Sequence, residues 1–335
     1  MESTIKVEKS ENKKNKNSII EFISKWGTVI TIVFLVALFG ALMPTTFLTM
    51  SNMTTILRGI SIVTVIAIGV TISLTVNGFD LSVGSTATFA TSLVMTMFVW
   101  YGMSTFTSIG LALLVALVVA AVNSFLIVKL GVPDMLATLA SMFIFQGVAM
   151  TYSGGGSVSQ NMARLDGTIT TGKVPELFSK IGQAPWIILI MLVIVFVVHI
   201  FLTYTKHGRY MYAVGGNLEA ARLSGIPVEK YRALAYFLST LFASMGGILI
   251  AARVGSAQIN AGAGYLMPAV AAAYIGFSFA GSGKANAIGT LVGALLVGIL
   301  ENGLVMMSVP YYSLDIVKGA VLAIALASTY FRKKN

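Results

Sequence analysis

The chain has 335 residues, of which 56% are hydrophobic and 10% charged, and its mean hydropathy is +0.88. Charged residues make up about a quarter of a typical soluble domain, so this composition excludes a soluble globular protein and indicates a polytopic membrane protein. The net charge of +10 does not indicate a nucleic-acid partner, because the lysines and arginines cluster beside apolar runs and at the chain ends.

Residues 1–24 form a polar tail rich in Lys, Glu, Asn and Ser, which predicts a disordered cytoplasmic segment. Lysines precede the first apolar run, and Arg332, Lys333 and Lys334 stand at the other end of the chain. Under the positive-inside rule, both termini are therefore expected in the cytoplasm.

Residues 25–335 are expected to form one transmembrane domain of the all-α class. Apolar runs long enough to cross a bilayer predict about ten spans. The predicted spans are 26–43, 56–76, 82–100, 108–128, 135–151, 185–203, 233–252, 264–280, 285–301 and 313–331. This order places the charged stretch 204–232 in the cytoplasm and the Gly-rich loop 152–183 outside.

Two segments share the same order of features and predict an internal repeat. In Leu111–Met142 and in Leu291–Ile324, an apolar helix containing Asn123 or Asn302 is followed by a Val-Pro turn, an Asp and a second apolar run. If spans 2–5 correspond to spans 7–10, the offset of five spans reverses the direction of crossing. Inverted repeats of this kind are typical of transporters. Chance similarity between apolar segments is the alternative.

Polar and Gly-rich residues interrupt the apolar pattern at 77–85 (NGFDLSVGS) and at 258–265 (QINAGAGY), which we name break 1 and break 2. Non-helical backbone at membrane depth is tolerated only where protein or a water-filled cavity satisfies it. Deep breaks would line a translocation pathway, whereas breaks at the surface would be simple turns. The candidate pathway residues are Asn77, Asp80, Ser82, Asn123, Asn260, Gly264, Tyr265 and Asn302.

The stretch 204–232 interrupts the apolar chain with seven charged residues. Its centre predicts one short helix, since Asn217 is a good N-cap, Glu219 lies in the first turn, Gly225 suits a left-handed stop and Pro227 prevents continuation. Such a helix either docks a cytoplasmic partner or belongs to an ordinary solvated loop.

The sequence offers little for ion coupling or catalysis. The ionisable residues Asp80, Asp134, Arg253, Glu301 and Asp315 all fall near predicted span ends, where they are expected to cap helices or reach water. The segment 281–284 (GSGK) looks like the end of a phosphate-binding loop, but Ala285 replaces the hydroxyl residue that binds Mg²⁺. The chain thus shows no means of using ATP itself, and we expect a transporter that is not an enzyme and binds no cofactor or metal, with any ATP handled elsewhere.

An ordered set of motifs makes the chain resemble the ribose-type permeases of bacterial ABC sugar importers, from span 2 to the C-terminus. The motifs are NGFDLSVG at 77–84, EAARLSG at 219–225, SAQ at 256–258, GAGY at 262–265 and GTLVGAL at 289–295.

The resemblance implies a permease subunit in the bacterial cell (inner) membrane that imports a small sugar or sugar-like solute by alternating access. It implies three kinds of protein partner: ABC ATPase subunits that use ATP and Mg, a second permease copy or a paralogue, and an extracytoplasmic solute-binding protein. The EAA-x-x-x-G docking signature of importer permeases falls on the helix at 217–225. The ATPase-coupling candidates are Asn217, Glu219, Ala220, Ala221, Arg222 and Gly225.

The segment after Tyr265 departs from the family pattern, which leaves the sugar open. The alternative function is a stand-alone secondary transporter or facilitator for a small polar solute, which requires coupling-ion ligands or a proton relay within the spans. An intramembrane enzyme would require paired catalytic groups at one depth, and the sequence shows neither arrangement.

Overall fold

A computed structural model describes residues 26–279, 283–317, 319–320 and 323. The predicted disordered tail at 1–24 lies outside the described residues, as does much of the tenth predicted span, 313–331.

The described chain is mostly helical. The apolar helices are α1 (Trp26–Leu42), α2 (Met50–Thr75), α3 (Val83–Val99), α4 (Thr105–Ser124, extended by a π-helical turn at Phe125–Lys129), α5 (Asp134–Tyr152), α7 (Trp186–Tyr204), α10 (Val228–Val254), α11 (Ala263–Ser278) and α12 (Ala287–Met306). Shorter elements are β1 (Val158–Ser159), α6 (Glu176–Ile181), α8 (Lys206–Gly216), α9 (Leu218–Leu223), β2 (Ser256–Ala257) and a 3₁₀ turn at Tyr311–Ser313.

Six of these helices are long and apolar enough to cross a membrane: α2, α4 with its π turn, α5, α7, α10 and α12. The apolar helices α1, α3 and α11 are shorter. The chain is thus a polytopic helical membrane protein, and each of the first nine predicted spans coincides with one of its helices.

Two of the long helices begin earlier than the apolar runs indicate. Helix α2 starts six residues before the predicted span, because the hydroxyl of Thr49 accepts a hydrogen bond from the N–H of Asn52 and caps the helix there. Helix α10 starts directly after Pro227, five residues before the predicted span, and its first turn carries charged side chains. Hydropathy detects the apolar part of each helix but not the polar turn that precedes it.

Helices α2 and α10 form the centre of the bundle and run antiparallel. Ile66 of α2 contacts Gly246 of α10, and Gly69 lies against the backbone of Ser239, so the residue number rises on one helix as it falls on the other. About 78% of the apolar stretch of α2 is buried, against 28% for α5, so α5 lies at the periphery. The small residues at the α2–α10 contact allow the backbones to approach closely.

Helices α2 and α10 each pack against the two apolar helices that follow the other one in the chain. Helix α10 packs against α2, α3 and α4, while α2 packs against α10, α11 and α12.

Short elements gather at the two ends of the bundle. At one end, β1 pairs antiparallel with β2, and Gly182 packs on the backbone of Ala252 at the end of α10. At the other end, the hydroxyl of Tyr212 on α8 donates to the carbonyl of Ala285, 2.6 Å away. We name these the β end and the α9 end; the loop 152–183 belongs to the first and the stretch 204–232 to the second.

The stretch 204–232 contains more structure than the single helix that the sequence predicts. It holds α8, α9 and the first turn of α10. The signal for α8 is weak because the helix contains three glycines, Gly208, Gly215 and Gly216. Two of them are needed for packing: Gly208 lies against the backbone of Leu202, and Gly215 lies against that of Thr75.

Candidate translocation site and coupling helix

Break 1 turns the chain sharply between α2 and α3. Asn77 adopts a left-handed backbone conformation with φ of 57°, which Asn tolerates better than most residues, and its side chain is exposed. The next residue, Gly78, is buried against Tyr236 of α10 and Asp134 of α5. Helix α3 then begins at Val83.

Three of the predicted pathway residues form a fully buried polar cluster behind this turn. Asp80 Oδ1 accepts hydrogen bonds from the N–H of Ser82 at 2.9 Å and from its hydroxyl at 2.6 Å. The amide Nδ2 of Asn123, at the end of α4, donates to the same hydroxyl at 2.9 Å. All three residues have a relative exposure of 0%, so the cluster lies inside the protein.

Of the two expectations for Asp80, capping a helix or reaching water, its position agrees with the first, because the side chain is fully buried. Its carboxylate lies beside the hydroxyl of Ser239 on α10. Ser239 is in the third to fourth turn of α10, about 16 Å along the axis from Val228 at 1.5 Å per residue. Asp80 does organise the start of α3, as expected of a capping residue, but it does so from within the bundle.

The cluster retains unused hydrogen-bonding capacity. Asn123 Oδ1 is buried without a hydrogen-bond partner among the described residues, whereas the Ser239 hydroxyl lies beside the Asp80 carboxylate and can donate to it. Buried polar atoms are nearly always satisfied in native proteins, by protein groups, by water or by a ligand. The amide oxygen of Asn123 is an acceptor only, so it suits a hydroxyl donor.

A second polar group lies next to the cluster and was not predicted as part of the site. Arg232 and Tyr236 of α10 both donate to the carboxylate of Asp134, one to each oxygen. In the sequence, Arg232 stands directly before a predicted span, where the positive-inside rule is a sufficient explanation for a basic residue. The spacing of Arg232 and Tyr236 indicates in the sequence that they act on one partner, because residues four positions apart lie on the same face of a helix.

Break 2 meets the start of α3. The N–H of Gly262 donates to the hydroxyl of Thr88 on α3 at 3.0 Å, and Gly262 packs on the backbone of Gly84. On the other side of the break, Nε2 of Gln146 on α5 donates to Asn260 Oδ1 at 2.6 Å. The beginnings of α3 and α11 therefore face each other.

The remaining predicted pathway residues are dispersed. Asn260 and Gly264 are exposed, and Tyr265 is half-buried in the first turn of α11. Asn302 is half-buried near the end of α12, and no hydrogen bond joins it to the Asp80 cluster; its Oδ1 is buried without a partner among the described residues. Gln146, which the sequence did not single out, contacts break 2 instead.

The predicted coupling helix is present as α9 with the predicted caps. The side chain of Asn217 accepts from the N–H of Ala220 at 2.9 Å, and Gly225 has φ of 78° in the left-handed region. Ala221 is buried and anchors the helix. Glu219 and Arg222 are exposed and joined at 3.2 Å.

Tyr212 supports the same region from α8. Burial raises the pKa of its phenol to about 12. The hydroxyl therefore stays protonated at neutral pH and continues to donate to Ala285. In the described ranges, no group of three or more His, Asp or Glu side chains is placed to hold a metal ion.

Comparison with known proteins gives a consistent result. A family model described as branched-chain amino acid transport system / permease component matches residues 52–326. The ribose import permease protein RbsC of Escherichia coli (strain K12) is 35% identical over 302 residues, covering 89% of this chain and 91% of the relative. The protein of the same name in Bacillus subtilis (strain 168) is 32% identical over 327 residues, covering 95% and 97%.

A relative named for a different sugar is also similar. The galactose/methyl galactoside import permease protein MglC of Escherichia coli (strain K12) is 32% identical over 338 residues, covering 96% of this chain and 99% of the relative. No solved structure matches the chain.

Proposed function

The chain belongs to the branched-chain amino acid transport system / permease component family and is a transport permease subunit, and we propose that it moves a small sugar or sugar-like solute in an ATP-driven importer. The observation that carries this proposal is the match to sugar import permeases along almost the whole length of both chains. The ATPase is a separate subunit, so this chain contributes the membrane pathway.

The geometry of α9 supports its role as the ATPase docking site. The helix is short, capped at both ends and anchored through Ala221, while Leu223 is 88% exposed beside the charged Glu219 and Arg222. An exposed apolar side chain ringed by charges is a common feature of protein interfaces. The resemblance of EAARLSG at 219–225 to the docking signature points to the same surface.

Alternating access between two inverted halves is supported by the packing of the bundle. Helices α2 and α10 have 26 and 27 residues, run antiparallel, and are each followed by a break and a shorter apolar helix. Their neighbours correspond when spans 2–5 are paired with spans 7–10. Rocking one half against the other about this centre would expose the breaks to each side in turn.

The pathway is proposed to run along the two breaks, where α3 and α11 begin. The unpaired acceptor oxygen of Asn123, next to the Asp80 carboxylate, suits a hydroxyl donor of a sugar. The remaining candidates, Asn77, Ser82, Asn260, Gly264, Tyr265 and Asn302, are proposed to line its approaches.

The full assembly is proposed to sit in the bacterial cell membrane with both termini of this chain in the cytoplasm. It would include a second permease copy or a paralogue, ATPase subunits at the α9 end and a solute-binding protein at the β end. About ten spans are expected for this chain in total.

Uptake by proteoliposomes containing the permease, a candidate ATPase and a candidate solute-binding protein tests the proposal. Labelled ribose, galactose, xylose and a branched-chain amino acid are supplied in turn, each with ATP or with a non-hydrolysable analogue inside. We expect uptake of one sugar that requires both ATP hydrolysis and the binding protein. Equal uptake without ATP would instead support a stand-alone facilitator, and uptake of the amino acid alone would refute the sugar assignment.

A further inference from the structure

Helix α9 is tied to the first turn of α10. The N–H of Ile226 donates to the carbonyl of Ala221 at 3.0 Å, which closes the end of α9 directly before α10 begins. Arg222 of α9 also contacts Glu229 of α10 at 2.9 Å. A force applied to α9 therefore acts on the start of α10 through a connection of a few residues.

One turn after Glu229, α10 contacts Asp134 at the start of α5. Arg232 and Tyr236 lie on the same face of α10, and each donates to one oxygen of the Asp134 carboxylate. The ion pair is mostly shielded from solvent, since the side chains of Arg232 and Asp134 are 21% and 17% exposed. Charge-assisted hydrogen bonds at such a site are stronger and more directional than exposed ion pairs.

Asp134 and Tyr236 also pack against break 1. A Cβ at Gly78 would lie 2.8 Å from Asp134 Oδ2 and would also collide with the Tyr236 hydroxyl, so break 1 packs directly on the pair. One turn along α5, the hydroxyl of Thr138 donates to the carbonyl of Phe79 at 3.0 Å. The first turn of α5 thus contacts two successive residues of break 1, and Asp80 follows immediately.

From these contacts we propose that Asp134, Arg232 and Tyr236 form a latch that transmits the movement of α9 to break 1 during transport. This inference rests on the proposed function, because it needs an ATPase that moves α9. When α10 tilts, the latch carries α5 and Gly78 with it, so Asp80, two residues after Gly78, follows α10 and changes its position relative to break 2. The latch residues position the pathway and do not themselves contact the solute.

The three latch residues are proposed to act together, so removing two of them should have no larger effect than removing one. Asp134→Asn and Arg232→Gln each remove one charge and keep a polar side chain of similar size, and the double variant removes both. The assembled importer is measured for three quantities: ATPase co-purification, ATP hydrolysis, and sugar molecules imported per ATP hydrolysed.

We expect each single variant to lower the sugar imported per ATP at least tenfold, with ATPase co-purification and hydrolysis within about twofold of wild type. The double variant should be no worse than the worse single variant. Lys230→Gln, which removes an exposed charge from the same helix start and lies outside the coupling contacts, is the control and should change the ratio less than twofold. Tyr236→Phe removes one hydroxyl and leaves the ion pair intact, so it provides a milder variant if the charge variants do not fold.

The movement itself can be measured because the chain contains no cysteine. Met135→Cys and Phe106→Cys are both at exposed positions, one in the first turn of α5 and one at the β end, and accept spin labels. Trapping the ATPase with ATP should change the label-to-label distance in the otherwise wild-type importer but not in the Arg232→Gln background.

Two results would overturn the latch. One is an unchanged ratio of sugar to ATP in the Asp134→Asn, Arg232→Gln and Tyr236→Phe variants. The other is the same ATP-dependent distance change in the presence and absence of Arg232. Failure of the proposed function would look different, because then the wild-type importer would show no ATP-dependent uptake.

Discussion

Gly215 of α8 is a position where one added methyl group should disturb the α9 end. A Cβ there would lie 2.9 Å from the carbonyl carbon of Thr75 and 3.0 Å from the N–H nitrogen of Asn77, and closer still to the Thr75 oxygen. Ordinary van der Waals contacts begin near 3.4 Å, so α8 would have to move away from the end of α2. Overpacking of this kind typically costs about 1–3 kcal/mol.

Gly216 gives a matched control in the same helix. A Cβ at Gly216 has no atom within 4 Å. Gly216→Ala should therefore be neutral, or stabilising by up to about 1 kcal/mol through lower backbone entropy in the unfolded state. Gly215→Ala should lower the melting temperature of the purified permease, measured by the loss of the monodisperse size-exclusion peak after heating, while Gly216→Ala should not. Equal melting temperatures for the two variants would refute the close approach of α8 to α2.

Three further predictions concern single side chains. Asn217→Ala removes the acceptor that caps α9, which costs about 1 kcal/mol of helix stability. This variant should weaken ATPase co-purification about fivefold, whereas Asn217→Ser, which keeps a capping oxygen, should restore it. Equal ATPase binding by the two variants would contradict the role of the cap. Tyr212→Phe should lower stability by about 1 kcal/mol. The difference in unfolding free energy between Tyr212→Phe and wild type should persist up to about pH 10 and shrink only as the pH rises toward 12. The reason is that burial raises the pKa of Tyr212 and the protonated phenol is the form that donates. A difference that vanishes by pH 8 would contradict the buried hydrogen bond. Asp80→Asn keeps an acceptor oxygen for Ser82, whereas Asp80→Ala leaves the N–H and hydroxyl of Ser82 unsatisfied. The Ala variant should therefore give the lower yield of monodisperse protein. Equal yields would contradict the buried cluster.

The elements that sequence patterns predict well here are those whose physics is local. Apolar runs located the cores of nine helices because burial in lipid requires continuous hydrophobicity. The α9 caps were found because Asn217 and Gly225 satisfy the backbone within a few residues of their own positions.

The features that were missed depend on distant contacts. Helix α8 was not predicted, because the need for Gly215 appears only when Thr75 lies against it. The sequence left the depth of Asp80 open for the same reason: hydropathy marks where an apolar run stops, but not whether the chain leaves the bundle there.

The pairing of residues across the bundle shows the same limit. Asp134 and Arg232 are far apart in sequence, and each has an ordinary explanation when taken alone, as a helix-capping acid and as a topology signal. Only the packing of α5 against the start of α10 brings them together. Likewise, Gln146 had no signal of its own before break 2 was placed beside α5.

The central claim is that a partner ATPase docks on α9 and drives transport through it. The direct measurement is co-purification of the ATPase, together with ATP-dependent sugar uptake, for wild type, Glu219→Lys and Gly225→Pro. Glu219→Lys reverses an exposed charge, and Gly225→Pro cannot adopt the φ of 78° at the end of the helix. We predict that both variants lose ATPase binding and uptake while remaining folded in the membrane; wild-type binding and uptake in both would contradict the claim.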